Sequence, residues 1–467
     1  MDGLNCREIT LKEAFANKDK RIDSQFWTTH IFKNPRYTYS KIGKAILSSQ
    51  YGMSIDMNTE KKGYPIFRMN ELHHMMTDLE VEKYADVSSI EYQAFSLQNR
   101  DVLFNRTNSY EWVGRTGIYY KNDDTPFTYA SYLVKFVPDS SVILPEYLTA
   151  FLNTGIGVKA IKARARQSVN QTNVNPEEVK EIEIPLLSMR FQKAIEKLFL
   201  IANEERVCAR NLYEQAVHAL HDYLDVKLEP NCNPYSEKLL SASFGVRGRF
   251  DAEYYHPKYE RYEKTIKESK HGFTLIKYKF ELISDKCDRT LHQYKYVEIG
   301  DINRGTGVAT PNVVMTEDLP DNAKIMTKVD DILVSTVRPN RGAVSILTQN
   351  DLLVSGAFTV LRETSDYPKE VLQLLLRSEM YRDWMLKYNV GTSYPVIKDN
   401  DVLNLPIPIL GKSEKETIVK NVRKSSDLRD VSKHLLDLAV KTVEMAIEQN
   451  EDAALAWLKA NVPNLEV

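Results

Sequence analysis

Short runs of β-branched and aromatic residues, bounded by turn residues, recur along the chain: PIFRM, DVLF and YLVKFV in the first half, YKYVEI, DDILVST and FTVL in the second. They predict strands. A proline-led segment with apolar residues three to four apart follows each set, PEYLTAFLNT and then PKEVLQLLLRS, and predicts a helix. Next comes a prolyl strand, IEIPLL or LPIPIL. Proline donates no ladder hydrogen bond, so these strands belong at a sheet edge. A long helix closes each set, over 188–226 and 412–450. In the first, Phe191, Ile195, Leu198, Ala202, Ala209, Leu212, Ala216 and Tyr223 alternate by three and four, with Glu205 interrupting. In the second, Leu428, Val431, Leu435, Leu438 and Ala446 do so. This is an imperfect coiled-coil seam. Each helix would be about 55 Å long at 1.5 Å per residue. Packing of the helices on each other, or of each on its own domain, satisfies the pattern.

The two sets are one plan written twice. RIDSQFW matches RFDAEYY, YPIFRMNEL matches YKYVEIGDI, and RDVLFNRT matches DDILVSTV. ILPEYLTAFLNT matches YPKEVLQLLLRS, QTNVNPEEVKEIEIPLL matches YPVIKDNDVLNLPIPIL, and LYEQAVHAL matches LLDLAVKTV. The six pairs are collinear, with offsets between 223 and 230. Between the copies, EPNCNPYSEK reads as a linker. The predicted segments are a mixed domain over 1–187, a helix over 188–226, a linker over 227–248, a second mixed domain over 249–410, a helix over 411–450, and a C-terminal tail over 451–467 with a short helix and a frayed end.

Composition narrows the classes. The 467 residues are 43% hydrophobic and 27% charged, as in ordinary globular proteins. Neither a membrane-spanning run nor a signal peptide is expected, and Cys6, Cys208, Cys232 and Cys287 form no CxxC pair, which suits a reduced, cytoplasmic protein. The formal charge of −2 gives no global argument for nucleic acid, so any DNA-binding face must come from local segregation of charge. GVKAIKARARQ is such a place: Lys159, Lys162, Arg164 and Arg166 form either a basic ridge or a solvated helix end. The chain lacks a phosphate loop of GxxxxGK[ST] type, GxGxxG, HExxH and GxSxG, and "NPYS" at Asn233 lacks a proline of the amino-methyltransferase motif. No metal or catalytic residue is nominated. Recognition is favoured over chemistry.

Reading base edges requires Arg, Lys, Asn and Gln on loops. The first copy offers Asn105, Arg106, Asn108, Tyr110 and Arg115 in FNRTNSYEWVGRTG, and Gln167, Asn170, Gln171 and Asn173 in RQSVNQTN. The second offers Arg338, Asn340 and Arg341 in STVRPNRGAV, with Thr392, Ser393 and Tyr394 before the prolyl strand. Polar turn residues between strands are the plainer reading of the same letters.

At this point the chain resembles the specificity (S) subunits of type I restriction–modification systems. The likeness rests on RIDSQFW and RFDAEYYHPKY, on RDVLFNRT and VDDILVSTVRPNRG, on the IEIPLL and LPIPIL ends, and on Gln192 and Ile195 at the first long helix; the second keeps Ile418 but departs with Lys415 where the glutamine would be. The resemblance implies an α/β (α+β) fold of two tandem pseudo-symmetric target-recognition domains joined by two long antiparallel coiled-coil helices. It implies no catalysis and no cofactor in this chain. Each domain would read one half of a bipartite, asymmetric site in double-stranded DNA. Phe191, Gln192, Ile195, Leu198, Leu212, Ala216, Ile418, Leu428, Leu435 and Leu438 would build the coil and dock two modification subunits. Those partners would carry S-adenosylmethionine and methylate adenine N6, and restriction subunits would join in assemblies that cut DNA. A related multi-subunit restriction system of type IIB kind, or a protein–protein scaffold on the same doubled fold, is the alternative.

Overall fold

A computed structural model describes residues 6–17, 20–169, 171–224, 235–241, 243–244, 248–391, 393–463 and 465. The chain divides into two units, Met1–Ala209 with Asp427–Val467, and Arg210–Ser426. Each unit contains one copy of the repeat together with parts of both long helices.

The first copy has a sheet with strand order Ile46–Tyr51, Leu133–Pro138, Val102–Asn105, Thr116–Ile118, each antiparallel to its neighbour. The second repeats that order with Phe280–Leu282, Phe358–Glu363, Ile332–Ser335 and Val344–Ile346. Among the described residues, only the first copy's sheet adds two short strands, Met76–Thr77 and Leu72–His73, at the outer edge. The central strands VLFN and ILVS are buried at every position, which is why they read as unbroken apolar runs rather than alternating ones. Against each sheet lies the predicted helix, Pro145–Asn153 or Lys369–Arg377. A single hydroxyl residue then ends that helix and starts another: Thr154 Oγ1 accepts from the Gly157 amide, and Ser378 Oγ from the Tyr381 amide.

The prolyl strands lie in two-stranded sheets. Pro406–Pro408 pairs with Phe273–Leu275, and Glu183–Pro185 with Tyr39–Lys41. Leu405 O accepts from the Ile276 amide and the Ile409 amide donates to Gly272 O, so the odd-numbered residues make the ladder. Pro406 and Pro408 face the other way, where no strand needs their missing donors. Their carbonyls are still buried and need partners. Tyr381 Oη donates to Pro406 O at 2.6 Å and Tyr367 Oη to Pro408 O at 3.1 Å. In the first copy Tyr147 Oη donates to Pro185 O at 2.8 Å. Tyr147 and Tyr367 are not repeat counterparts, yet they satisfy the same carbonyl.

The long helices run Met189–Leu224 and Lys412–Glu448, and they pair antiparallel. In the first unit Ser188 contacts Glu451 while Ser432 Oγ donates to Ala202 O at 2.7 Å. In the second, Asn421 donates to Gln215 at 3.5 Å and Tyr223 to Ile409 O at 2.7 Å. Phe191, Ile195, Leu198, Ala216, Ile418, Leu428, Leu435 and Leu438 are buried and Leu212 is half-buried, so these residues build the coil and its domain contacts. Burial leaves all of them but Leu212 with no surface to offer a partner. Val431, placed in the seam by the sequence pattern, is 45% exposed. The seam passes instead through Ser425 and Ser432, small buried residues that the apolar pattern skipped. In the segment 451–467 the expected short helix runs Glu451–Asn461, and Ala454, Leu455, Leu458 and Leu465 join the first unit's core. Most of the expected linker lies outside the described residues.

Gln192 is likewise internal. It is 1% exposed, accepts from the Leu144 amide at 2.7 Å and donates to Leu187 O at 2.9 Å, clamping the long helix to the domain. Its counterpart is Lys415, and the counterpart of Leu144 is Pro368. Proline has no N–H to satisfy, so the second copy does not need the glutamine. Lys415 reaches Asp366 instead. Replacing Gln192 by Ala should therefore cost the first unit about 1–3 kcal/mol in a denaturation experiment, the penalty of buried groups left unpaired. Lys415→Ala should stay within about 0.5 kcal/mol. Tyr147→Phe and Tyr367→Phe should each resemble the Gln192 variant, since each orphans a buried carbonyl.

Candidate nucleic-acid interface

In the first copy the two polar loops meet in a small sheet. Thr107–Asn108 pairs with Thr172–Asn173, which pairs with Arg166–Gln167. Thr107 Oγ1 donates to Asn173 Oδ1 at 2.6 Å. The second copy makes the same join with one bridge, Val337 to Val396. By the repeat alignment Val337 matches Thr107 and Val396 matches Asn173, so the cross-strand pair is equivalent in both copies although no letter is shared.

The loop after the first copy's small strand is braced from below. Lys162 Nζ donates to the carbonyls of Tyr110, Glu111 at 3.2 Å and Val113 at 2.9 Å, and lies 4.9 Å from the Tyr110 ring centre. Burial lowers its pKa, with Glu111 opposing. Arg115 lies 3.5 Å over the Trp112 ring, and burial brings its pKa down to about 10, partly opposed by Asp78, so it stays charged at neutral pH. Tyr110 and Trp112 are 38% and 37% exposed. Arg106 stacks 5.2 Å from the Tyr51 ring centre. Arg166, Gln167 and Gln171 are exposed, Asn108 is half-buried, and Asn170 lies outside the described residues.

Three expected base or phosphate contacts have internal roles instead. Asn105 is fully buried; it donates to Trp112 O and accepts from the Thr107 amide, shaping the loop. Lys162 directs its donors to the carbonyls above. Arg164 donates to Ala160 O at 2.9 Å and stacks on Phe26, and burial lowers its pKa against the pull of Glu178. Lys162 and Arg164 thus brace a loop and cap a helix end, while Lys159 and Arg166, the other two cations of that segment, are exposed.

The second copy's loop is held by its backbone. Arg338 sits in the left-handed region, φ 52°, and its amide donates to Pro395 O at 2.7 Å. The Arg338 guanidinium lies 5.3 Å from the Tyr394 ring centre, joining the two loops. A one-turn helix, Pro339–Arg341, presents Asn340 and Arg341 to solvent, and Gly342 at φ 71° closes it. A Cβ at Gly342 would come within 2.8 Å of Arg382 Cδ, so the turn needs glycine twice over. Ser393 and Tyr394 are exposed, and Thr392 lies outside the described residues. Sequence reasoning missed Trp112 and Tyr51. An exposed tryptophan in a polar loop was a usable signal for the first. Tyr51 belongs to a distant strand and gave none.

Among the described residues no group of three or more His, Cys, Asp or Glu is placed to hold a metal, and no helix is long and apolar enough to cross a membrane. No family model matches the chain. It is 28% identical over 148 residues to the putative type I restriction enzyme MjaX specificity subunit of Methanocaldococcus jannaschii, covering 32% of this chain and 35% of that one. It is 25% identical over 157 residues to the type I restriction enzyme EcoKI specificity subunit of Escherichia coli, covering 32% and 34%. The matches thus span about a third of the length of these curated relatives. Among solved structures, the HsdS subunit of Thermoanaerobacter tengcongensis aligns over 90% of this chain and 98% of its own at 11% identity and TM-score 0.30. The type I S subunit of M. genitalium aligns over 91% and 97% at 14% identity and TM-score 0.35. The curated relatives and these structures are specificity subunits of type I restriction–modification systems, the family that the doubled sequence motifs resemble.

Proposed function

We propose that the chain is the sequence-specific DNA-recognition subunit of a type I restriction–modification assembly and performs no chemistry itself. The observation that carries this reading is the doubled loop pair. Each copy joins its post-strand loop to the loop before the prolyl strand through the same cross-strand position. Arginines stacked on or beside aromatic rings lie at that join in both copies. Stacking fixes a guanidinium plane while leaving its N–H edge for a purine, the geometry of bidentate base reading. The loop sequences differ between copies, so the two half-sites differ. The target is bipartite and asymmetric, and each copy reads one half.

Methylation belongs to two partner subunits that bind S-adenosylmethionine and take the adenine out of the duplex. They dock on the outer faces of the long helices, since the seam residues are consumed by the coil and its domains. Restriction subunits join the same assembly when DNA is cut.

Mapping methylated adenines in cells that express the chain with its modification partner should return a split motif with an unspecified centre. Methylation without such a motif would sink the proposal. Arg338→Ala with Arg341→Ala should relax one half of the motif and leave the other intact, at about 1–3 kcal/mol for each bidentate pair of hydrogen bonds removed. Asn105→Ala should reduce thermal stability, because it empties a buried hydrogen-bonding position.

A further inference from the structure

We propose that Arg249 is a positioning residue for base reading by the second copy: its guanidinium holds the start of the loop that carries Ser393 and Tyr394. The inference rests on the proposed DNA-reading function and gives a task to the element that opens each copy.

That element, RFDAEYY, folds as a fork. Arg249 Nε donates to Asp251 Oδ2 at 2.6 Å, and Nη2 donates to Asp251 Oδ1 at 2.8 Å. The Tyr254 amide donates to the same oxygen, Oδ1, at 3.0 Å. Arg249 holds the Asp251 carboxyl below its ordinary pKa, with burial opposing and the Tyr254 amide helping, so the fork is charged at neutral pH. The Tyr254 ring centre lies 4.7 Å from the guanidinium carbon and 5.3 Å from Lys387 Nζ. A guanidinium bonded twice to one carboxylate and laid beside a ring has its plane fixed. Its Nη2 has a second hydrogen to give, and donates to Asn389 O at 3.1 Å.

Asn389 is the base of the loop. Its Oδ1 accepts from the Gly391 amide at 2.8 Å and from the Val396 amide at 2.9 Å, and the Val390 amide donates to Val396 O at 2.8 Å. A Cβ on Gly391 would stand 2.0 Å from Tyr394 O, so the outgoing and returning limbs touch. The returning limb also carries the other loop. Val396 bridges Val337, the Ile397 amide donates to Thr336 O at 2.9 Å, and Pro395 O accepts from the Arg338 amide. A displacement of Asn389 therefore reaches Tyr394 and Arg338 together. Arg249 acts through Asn389 and needs no contact with a base.

The first copy repeats the device with other contacts. Arg21 forks Asp23 at 2.7 and 2.8 Å. The Phe26 ring centre lies 5.0 Å from the Arg21 guanidinium carbon and 5.6 Å from that of Arg164, the last residue of the helix Gly155–Arg164. Gln25 donates to Lys162 O on that helix at 3.2 Å. In both copies the fork grips the end of the corresponding helix, where the chain turns toward the candidate loops.

The test is Arg249→Met in the full chain with its modification partner, read by mapping methylated adenines. Methionine keeps an apolar stem beside Tyr254 and removes every donor. The Asp251 side chain is 43% exposed, so the ion pair itself carries little stability. The melting temperature should fall by less than about 4 °C. Discrimination should drop about tenfold in the half of the motif that Arg338→Ala with Arg341→Ala relaxes, while the other half stays sharp. Asn389→Ala should relax the same half, and the double variant no further than the worse single one, since both act on one joint. Tyr367→Phe weakens the same copy at its prolyl strand; it should melt lower than Arg249→Met and keep the motif. An unchanged motif in Arg249→Met, relaxation of both halves, or a relaxed motif in Tyr367→Phe would overturn the positioning role. So would a larger melting loss in Arg249→Met than in Tyr367→Phe. A parent without a split motif would mark failure of the DNA-reading function itself. A split motif in the parent beside an unaffected Arg249→Met would remove only this inference.

Discussion

The structure depends on how a strand without amide donors can end a domain and begin a long helix. At Pro406–Pro408 the ladder uses the alternate residues, and the prolines point to the side where no strand lies. That choice solves the missing donors but strands two carbonyls in the core. Buried tyrosine hydroxyls complete them in both copies. Because those tyrosines sit on or beside the helices that cover the main sheet, the same hydrogen bonds lock sheet, covering helix and exit strand together. The direction in which each long helix leaves its domain follows from that lock, and Gln192 tightens it where a backbone amide would otherwise be orphaned.

The copies preserve what burial demands and exchange the residues that meet the demand. Glu146 and Glu370 are counterparts in the first turn of the covering helix, and both are nearly inaccessible. A buried carboxylate needs a cation. In the first copy Arg100 provides it, bonding Glu146 at 2.9 and 2.6 Å and also reaching Glu196 on the long helix. In the second, Asp330 stands at that position with the same left-handed backbone, φ 74° against 73°, and the cation comes from the long helix as Arg423, 2.6 Å from Glu370. The acid is constant, its partner has moved to another element, and the domain-to-helix join survives. Tyr147 and Tyr367 follow the same logic at the prolyl carbonyl.

This pattern explains what could be read in advance. The strand segments, the covering helix and the prolyl edge were legible because they are set by periodicity and by a residue with no donor; the order of the strands in the sheet was not. The doubled motifs were legible because collinearity does not depend on any one match. Val431 and Ser432 show where that kind of reading stops. A serine whose hydroxyl bonds to Ala202 O behaves as a small seam residue, but hydropathy scores it as surface. The loops show a second limit. Asn105, Arg106, Asn108 and Lys162 have similar polarity, yet Asn105 is buried, Lys162 braces three carbonyls and Arg106 stacks on a ring from a remote strand. Charge and loop position name the region. Only the fold separates the residue that holds a loop from the residue that faces outward.

The two candidate loops reach stiffness by opposite means. The first commits a lysine side chain to three carbonyls, so its shape depends on Lys162 and the helix that carries it. The second holds its shape in the backbone, with left-handed Arg338 and Gly342 flanking a one-turn helix seated on Pro395 and Arg382. A recognition surface must be held to within a fraction of an ångström for paired donors to meet a base edge. The scaffolds of the two loops are not interchangeable. Residues facing outward from one loop cannot be transferred letter for letter into the other. The unit that can diverge independently is the whole loop pair, bounded by the Thr107–Asn173 or Val337–Val396 join. A duplicated chain can in this way carry two unlike surfaces on one repeated frame.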